Sequence, residues 1–130
     1  MEESAQRPRF SVIVPTHQRR ERVVHNVEAL AGQELASFEA IVVVDGSTDG
    51  TAAALRELDL PFPLTVVEQD NQGAAEARNA GARAAVGEIL LFLDDDMEAA
   101  PSLLAEHDRS HRAGADLRQR QSLRLRGHEL

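Results

Sequence analysis

Three consecutive carboxylates, Asp94, Asp95 and Asp96, follow directly on the apolar segment Glu88 to Leu93 (EILLFL). Adjacent carboxylates repel one another unless donors or cations neutralise them, and a divalent metal is a natural solution. Hard cations such as Mg²⁺ and Mn²⁺ take carboxylate oxygens, usually one or two from protein, with substrate phosphates and water completing the shell. At the carboxyl end of a strand the run points to such an ion; elsewhere a solvated loop, with one aspartate capping the next helix, would explain it. A second polar segment, Asp45-Gly46-Ser47-Thr48-Asp49-Gly50, matches the first half of a calcium loop, but the twelfth position of that loop falls on Arg56, where a bidentate glutamate is required. Calcium is therefore disfavoured. Asp45 can instead accept hydrogen bonds from a ligand N–H group, while Ser47 or Asp49 caps the helix that follows. Arg78 stands in the second turn of an alanine-rich segment, in reach of a phosphate or a base oxygen, or equally of a surface ion pair with Glu76. His17 has three readings: a ligand, a stacking surface or an exposed loop residue, and spacing alone favours the last.

The elements that must position these residues are legible from periodicity. Phe10 to Pro15 (FSVIVP) is β-branched and apolar, and Pro15 is expected to end it by removing a ladder donor. Arg22 to Glu34 places Val23, Val27, Leu30 and Ala31 on one helical face. Phe38 to Val44 is apolar with little alternation, as expected of a strand covered on both faces of a parallel sheet. A short helix over Thr51 to Leu58 is broken by Pro61 and Pro63 before a third strand at Leu64 to Glu68. Gly73 to Val86 reads as a helix, Glu88 to Leu93 as a fourth strand, and a last helix is expected from about Pro101 to Arg112. The order βαβαβαβα predicts an α/β fold: an open, mostly parallel sheet with flanking helices and right-handed crossovers. Ligands of such sheets bind beyond the carboxyl ends of the strands. Those ends carry Pro15-Thr16-His17, Asp45-Gly46-Ser47, Gln69-Asp70-Asn71 and Asp94-Asp95-Asp96, so four polar segments converge on one crevice.

At 130 residues and 42% apolar content the chain can bury a single core. The organisation expected is a disordered tail over residues 1–9, one domain over 10–113 and an atypical basic tail over 114–130, rich in Arg118, Arg120, Arg124 and Arg126. No export signal or bilayer-length apolar run is visible, which suggests a soluble, cytoplasmic protein. With no cysteine, a metal would be held by oxygen or imidazole ligands. A net charge of -8 argues against nucleic acid as a partner, because phosphate-backbone binders concentrate Lys and Arg. Small anions remain compatible where a metal or local arginines receive them. No GxGxxG, GxxxxGK[ST] or GxSxG motif is present, which disfavours dehydrogenases, phosphate-loop nucleotidases and elbow hydrolases.

Four ordered segments, SVIVPTHQR, IVVVDGSTDGT, NQGAAEARNAGARAA and GEILLFLDDD, resemble the N-terminal half of the family 2 glycosyltransferases over roughly residues 10 to 112. That resemblance implies a GT-A, Rossmann-like fold, truncated here after about four strands, that binds a nucleotide-diphosphate sugar, a UDP-sugar above all. It implies that Pro15, Thr16 and His17 line the base pocket, that Asp45 bonds the base, that Arg78 reaches base or diphosphate and that Asp95 lies near the ribose. Asp96 would be the metal ligand of the DXD-type motif, for Mn²⁺ or Mg²⁺. Two departures from the common pattern are Val44, where many relatives carry an aspartate, and Gln18, where asparagine is common. The chemistry implied is inverting transfer to an acceptor hydroxyl, with the acceptor-binding half and its carboxylate base expected outside this chain, or supplied by a partner chain or dimer. Two other readings compete. One is a catalytically incomplete remnant serving as a binding module. The other, an α/β nucleotidyltransferase, is disfavoured because PTHQRRER replaces the Gly-rich, lysine-bearing loop expected after the first strand.

Overall fold

A computed structural model of the chain describes residues 7–126, with side chains described as far as residue 114. The elements are β1 (Phe10–Thr16), α1 (Arg20–Ala29) running into a 3-10 turn at Leu30–Gly32, β2 (Phe38–Asp45), α2 (Thr51–Arg56), β3 (Leu64–Gln69), α3 (Ala74–Ala84), β4 (Ile89–Phe92) and α4 (Leu103–Arg126). The four strands form one parallel sheet in the order β3-β2-β1-β4, the GT-A/Rossmann-like architecture expected from the sequence.

Strand alternation divides the core in two. Val12, Val14, Ala40, Val42 and Val44 face α1, α2 and α4 through Val23, Val27, Leu30, Leu55 and Leu104. Ile13, Ile41 and Val43 face α3 through Ala77. The central strand β2 is buried along its whole length, which is why its sequence shows almost no polar alternation. Gly81 lets α3 lie against the sheet: a Cβ there would overlap Ile13 Cγ2 and stand 3.3 Å from Val43 Cγ2. On this same face α3 does not cover β4, whose Leu90 and Phe92 remain 40% and 44% exposed.

Several boundaries depend on contacts remote in sequence. Helix α1 begins at Arg20, earlier than periodicity suggests, because Asp49 Oδ2 accepts from Arg20 N at 3.1 Å. The same carboxylate accepts from Thr51 N at 3.2 Å and from the Thr51 hydroxyl, so one side chain caps α1 and α2 together. Gln18 and Ser47–Thr48 join the two loops further, with Gln18 N donating to Ser47 Oγ at 2.7 Å. The Ser-Thr-Asp part of the segment is therefore architectural. At the opposite end of the sheet the buried Glu39 Oε2 accepts from Ser11 Oγ (2.6 Å) and Val86 N (2.7 Å), and Ser11 Oγ accepts from Gly87 N (2.8 Å). This network fixes the α3–β4 connection to the sheet.

Residues 1–6 of the expected N-terminal tail lie outside the described residues, whereas Arg7 donates to the Val86 carbonyl at 2.9 Å and Arg9 to Asp108 and Glu88 at 2.7 and 2.8 Å. The expected last helix extends through much of the basic segment, to Arg126; residues 127–130 lie outside the description.

Two outcomes follow from this packing. Gly81→Ala must push Ile13 aside or lift α3, and a loss of about 1–3 kcal/mol in urea unfolding is expected; an unchanged midpoint would show that the helix does not sit this close. The Thr51 hydroxyl, with the N–H groups of Arg20 and Thr51, outweighs burial and holds the Asp49 carboxyl below its ordinary value of 3.8. A carboxyl depressed on folding stabilises the native state above that value and loses its contribution as pH falls below it. Asp49→Ala should therefore cost about 1 kcal/mol near neutral pH, a gap that narrows in unfolding curves taken near pH 3; a gap independent of pH contradicts the capping role.

Candidate nucleotide-sugar site

In the strand order β3-β2-β1-β4 the chain reverses direction across the sheet between β1 and β4, and the carboxyl ends of strands at such a switch point part to leave a crevice. Pro15 governs where the parting begins. β1 pairs with β2 as far as Thr16, but with β4 only from Phe10 to Ile13. Its last rung on that side is Leu93 N donating to Ile13 O at 2.9 Å. Because backbone groups of alternate residues face the same edge, Pro15 faces β4 as Ile13 does, and has no N–H to extend the ladder. Pro15 thus stops one ladder while β1 continues on the other.

The crevice so formed has a volume of about 360 Å³, within the range of small-molecule sites. All seven residues singled out in the sequence, Pro15, Thr16, His17, Asp45, Arg78, Asp95 and Asp96, line it. They are not alike in availability. Asp95 is buried: Oδ2 accepts from Thr16 Oγ1 at 2.8 Å, Oδ1 from Arg19 at 3.2 Å, and its carbonyl from Asn26 Nδ2 at 2.7 Å. Asp94 and Asp96, on either side, are exposed. The run of three thus divides into a buried anchor and two flanking carboxylates.

Asp45, at the end of β2, accepts from Gln69 Nε2 (3.0 Å), Gln72 N (2.7 Å) and Gly73 N (3.0 Å), so its carboxylate organises the approach to α3. Gly46 permits that approach, with a φ of +76° and a would-be Cβ only 2.8 Å from Asn71 Cβ. Burial pushes the Asp45 carboxyl up, but the Gln69 amide, the N–H groups of Gln72 and Gly73 and the nearby His17 outweigh it and hold the group below the usual aspartate value. An ionised carboxylate has about four acceptor positions, so three internal bonds leave one toward a ligand. His17 Nδ1 lies 2.5 Å from the Asp45 carbonyl; the carbonyl only accepts, so Nδ1 carries the proton. The ring is thereby pinned at the mouth of the crevice.

Arg78 is exposed and faces the crevice, and its alternative partner is taken, because Glu76 pairs with Arg83 at 2.9 Å. Among the described residues Arg78 has no ion pair. Nor do the described residues include a group of three or more His, Cys, Asp or Glu side chains arranged to hold a metal ion. The donor set fits an ion that takes one or two carboxylates from protein and the rest from phosphate and water, as Mg²⁺ and Mn²⁺ do, and does not fit a closed all-protein cage. Sequence reasoning missed Arg19 and Asn26. A signal existed for Asn26: it falls on the buried stripe of α1 between Val23 and Val27, where a polar residue needs a partner.

No described helix is long and apolar enough to cross a membrane. Among curated proteins the chain is similar to the uncharacterized glycosyltransferase YfnE of Bacillus subtilis, 41% identical over 103 residues, covering 78% of this chain and 26% of that protein. Among solved structures it resembles S. aureus TarS in complex with UDP-GlcNAc, with a TM-score of 0.71, 30% identity, and coverage of 78% of this chain and 30% of that one. It also resembles the mannosyltransferase PcManGT from Pyrobaculum calidifontis in complex with GDP-Man and Mn²⁺, with a TM-score of 0.62, 36% identity, and coverage of 71% and 28%. The chain thus spans under a third of the length of each of these proteins. The model of glycosyl transferase family 2 matches residues 11–117, which is most of the chain, and the protein belongs to that family.

Proposed function

We propose that this chain forms the donor site of a metal-dependent, inverting glycosyltransferase, and that the crevice between β1 and β4 holds a nucleoside-diphosphate sugar. The observation that carries this reading is the convergence of Pro15, His17, Asp45, Arg78 and Asp96 on one crevice at the sheet's switch point. UDP-sugars are the favoured class; the neighbours with UDP-GlcNAc and with GDP-Man and Mn²⁺ support a nucleotide sugar in general.

Pro15 and the pinned His17 ring provide a wall for the base, and the remaining acceptor position of Asp45 suits a base N–H. Asp95, with both oxygens engaged, acts by holding Thr16 and Arg19 in place, which leaves its part near the ribose to contacts made around it. Asp96, with Asp94 beside it, would hold Mn²⁺ or Mg²⁺, whose charge would oppose that of the diphosphate. Arg78 donates to the diphosphate as negative charge grows on it, an interaction that strengthens as the glycosidic C–O bond breaks. In the inverting reaction the acceptor oxygen bonds the anomeric carbon from the opposite face, and its proton passes to a carboxylate base.

Three measurements test this. UDP, GDP or TDP with Mn²⁺ should raise the melting temperature of the folded chain, by RT ln(1 + [L]/Kd) in free energy; no shift with any of them at about millimolar concentration would overturn the site. Asp96→Ala should abolish the Mn²⁺ enhancement of nucleotide binding in calorimetric titration, and an enhancement of normal size would place the metal elsewhere. Arg78→Ala should weaken UDP binding by about tenfold or more, the range of a charge-assisted bond. Equal affinity would return Arg78 to the protein surface.

A further inference from the structure

The donor crevice has a neighbour. A second depression, of about 700 Å³, lies against the start of α1 and is lined by Arg19, Arg20 and Arg22 together with the carboxylates of Glu21, Asp49 and Asp96. Two residues, Arg19 and Asp96, line both spaces, so the depressions meet at the carboxylate assigned here to the metal. Three arginines within four positions stand out in a chain of net charge -8 that has only 14 Lys and Arg in all.

Their donors are only partly used. Arg19 gives one guanidinium nitrogen to Asp95 at 3.2 Å and is half exposed. Arg20 gives Nη1 to the Asp49 carbonyl at 3.2 Å, with Glu21 at 3.9 Å. Arg22 is exposed and has no ion pair among the described residues. The backbone beneath them is fixed by Asp49 and by the Gln18–Ser47–Thr48 bonds, so the cluster sits on a rigid base. Guanidinium groups match phosphate oxygens in geometry as well as charge, and they do so without the hydration penalty of an ammonium. The diphosphate of the donor has its own cation on the other side of the crevice, Arg78 from α3.

We infer that the Arg19–Arg20–Arg22 depression binds a phosphate group of the acceptor, so that the second substrate is a phosphate-bearing molecule, a phosphomonoester or phosphodiester, presented next to Asp96. This rests on the donor-site reading, because the depression gains its meaning from the edge it shares with that crevice.

The test is a calorimetric titration of glycerol 3-phosphate into the full chain saturated with UDP and Mg²⁺. The expected result is one additional binding event, absent with glycerol alone, and weakened about tenfold or more in an Arg20→Ala, Arg22→Ala double variant. UDP affinity should be unchanged in that variant within about twofold, under a third of a tenfold effect on the logarithmic scale. Displacement of UDP by glycerol 3-phosphate would overturn the inference and give the arginines to the donor diphosphate. No binding to a chain that binds UDP would overturn it outright. A chain that binds glycerol 3-phosphate through these arginines but binds no nucleotide would instead defeat the donor-site reading, and with it the acceptor role of the depression.

Discussion

The hydrogen bond from Thr16 to Asp95 closes the floor of a space that Pro15 opens. Pro15 ends pairing between β1 and β4 while β1 still pairs with β2, and without a tie beyond that point the chain after β4 would be free to swing away from the sheet. Thr16 supplies that tie, and Arg19 and Asn26 complete it from α1. One buried carboxylate therefore sets the positions of its two exposed neighbours, Asp94 and Asp96. Three adjacent acids become tolerable because the middle one is neutralised internally and the outer two face solvent. The donor-site reading depends on this division, since it leaves one or two carboxylates for an ion whose other ligands come with the substrate.

The other wall is organised by a comparable device at the end of β2. Asp45 gathers Gln69, Gln72 and Gly73 and so orients the entry to α3, from which Arg78 faces the crevice. A single aspartate thereby couples the base end of the proposed site to the phosphate end. Its own backbone carbonyl fixes the His17 ring, so a change at Asp45 would disturb three parts of the site at once. Binding and folding effects at this residue are accordingly harder to separate than at Asp96 or Arg78, which touch little else in the fold.

Much of this was legible in the sequence, for physical reasons. β1 and β2 are recognisable because burial on both faces leaves uninterrupted β-branched runs, and α3 because small residues recur where it meets the sheet. The convergence of four strand ends follows from the parallel order alone. What was not legible depends on partners distant in the chain. Nothing local in FEAIVVV shows that Glu39 would be buried against Ser11 and Val86, and nothing in DDD shows which aspartate turns inward. The cap that starts α1 comes from Asp49, about thirty residues on, by a contact only the folded sheet creates. Pro15 was expected to end its strand; it ends only one of the two ladders, because a missing N–H matters only on the edge it faces.

The central claim, that a nucleotide and its metal occupy the switch-point crevice, is tested most directly by amide NMR of the isotopically labelled chain with UDP, first with Mg²⁺ and then with trace Mn²⁺. Shift changes are expected to concentrate at Thr16 to Arg19, Asp45 to Gly46, Gln72 to Arg78 and Asp94 to Met97, with paramagnetic broadening centred on Asp94 to Met97. Broadening centred away from the carboxyl ends of β1 and β4, or shift changes clustered at the α2–β3 edge, would contradict it.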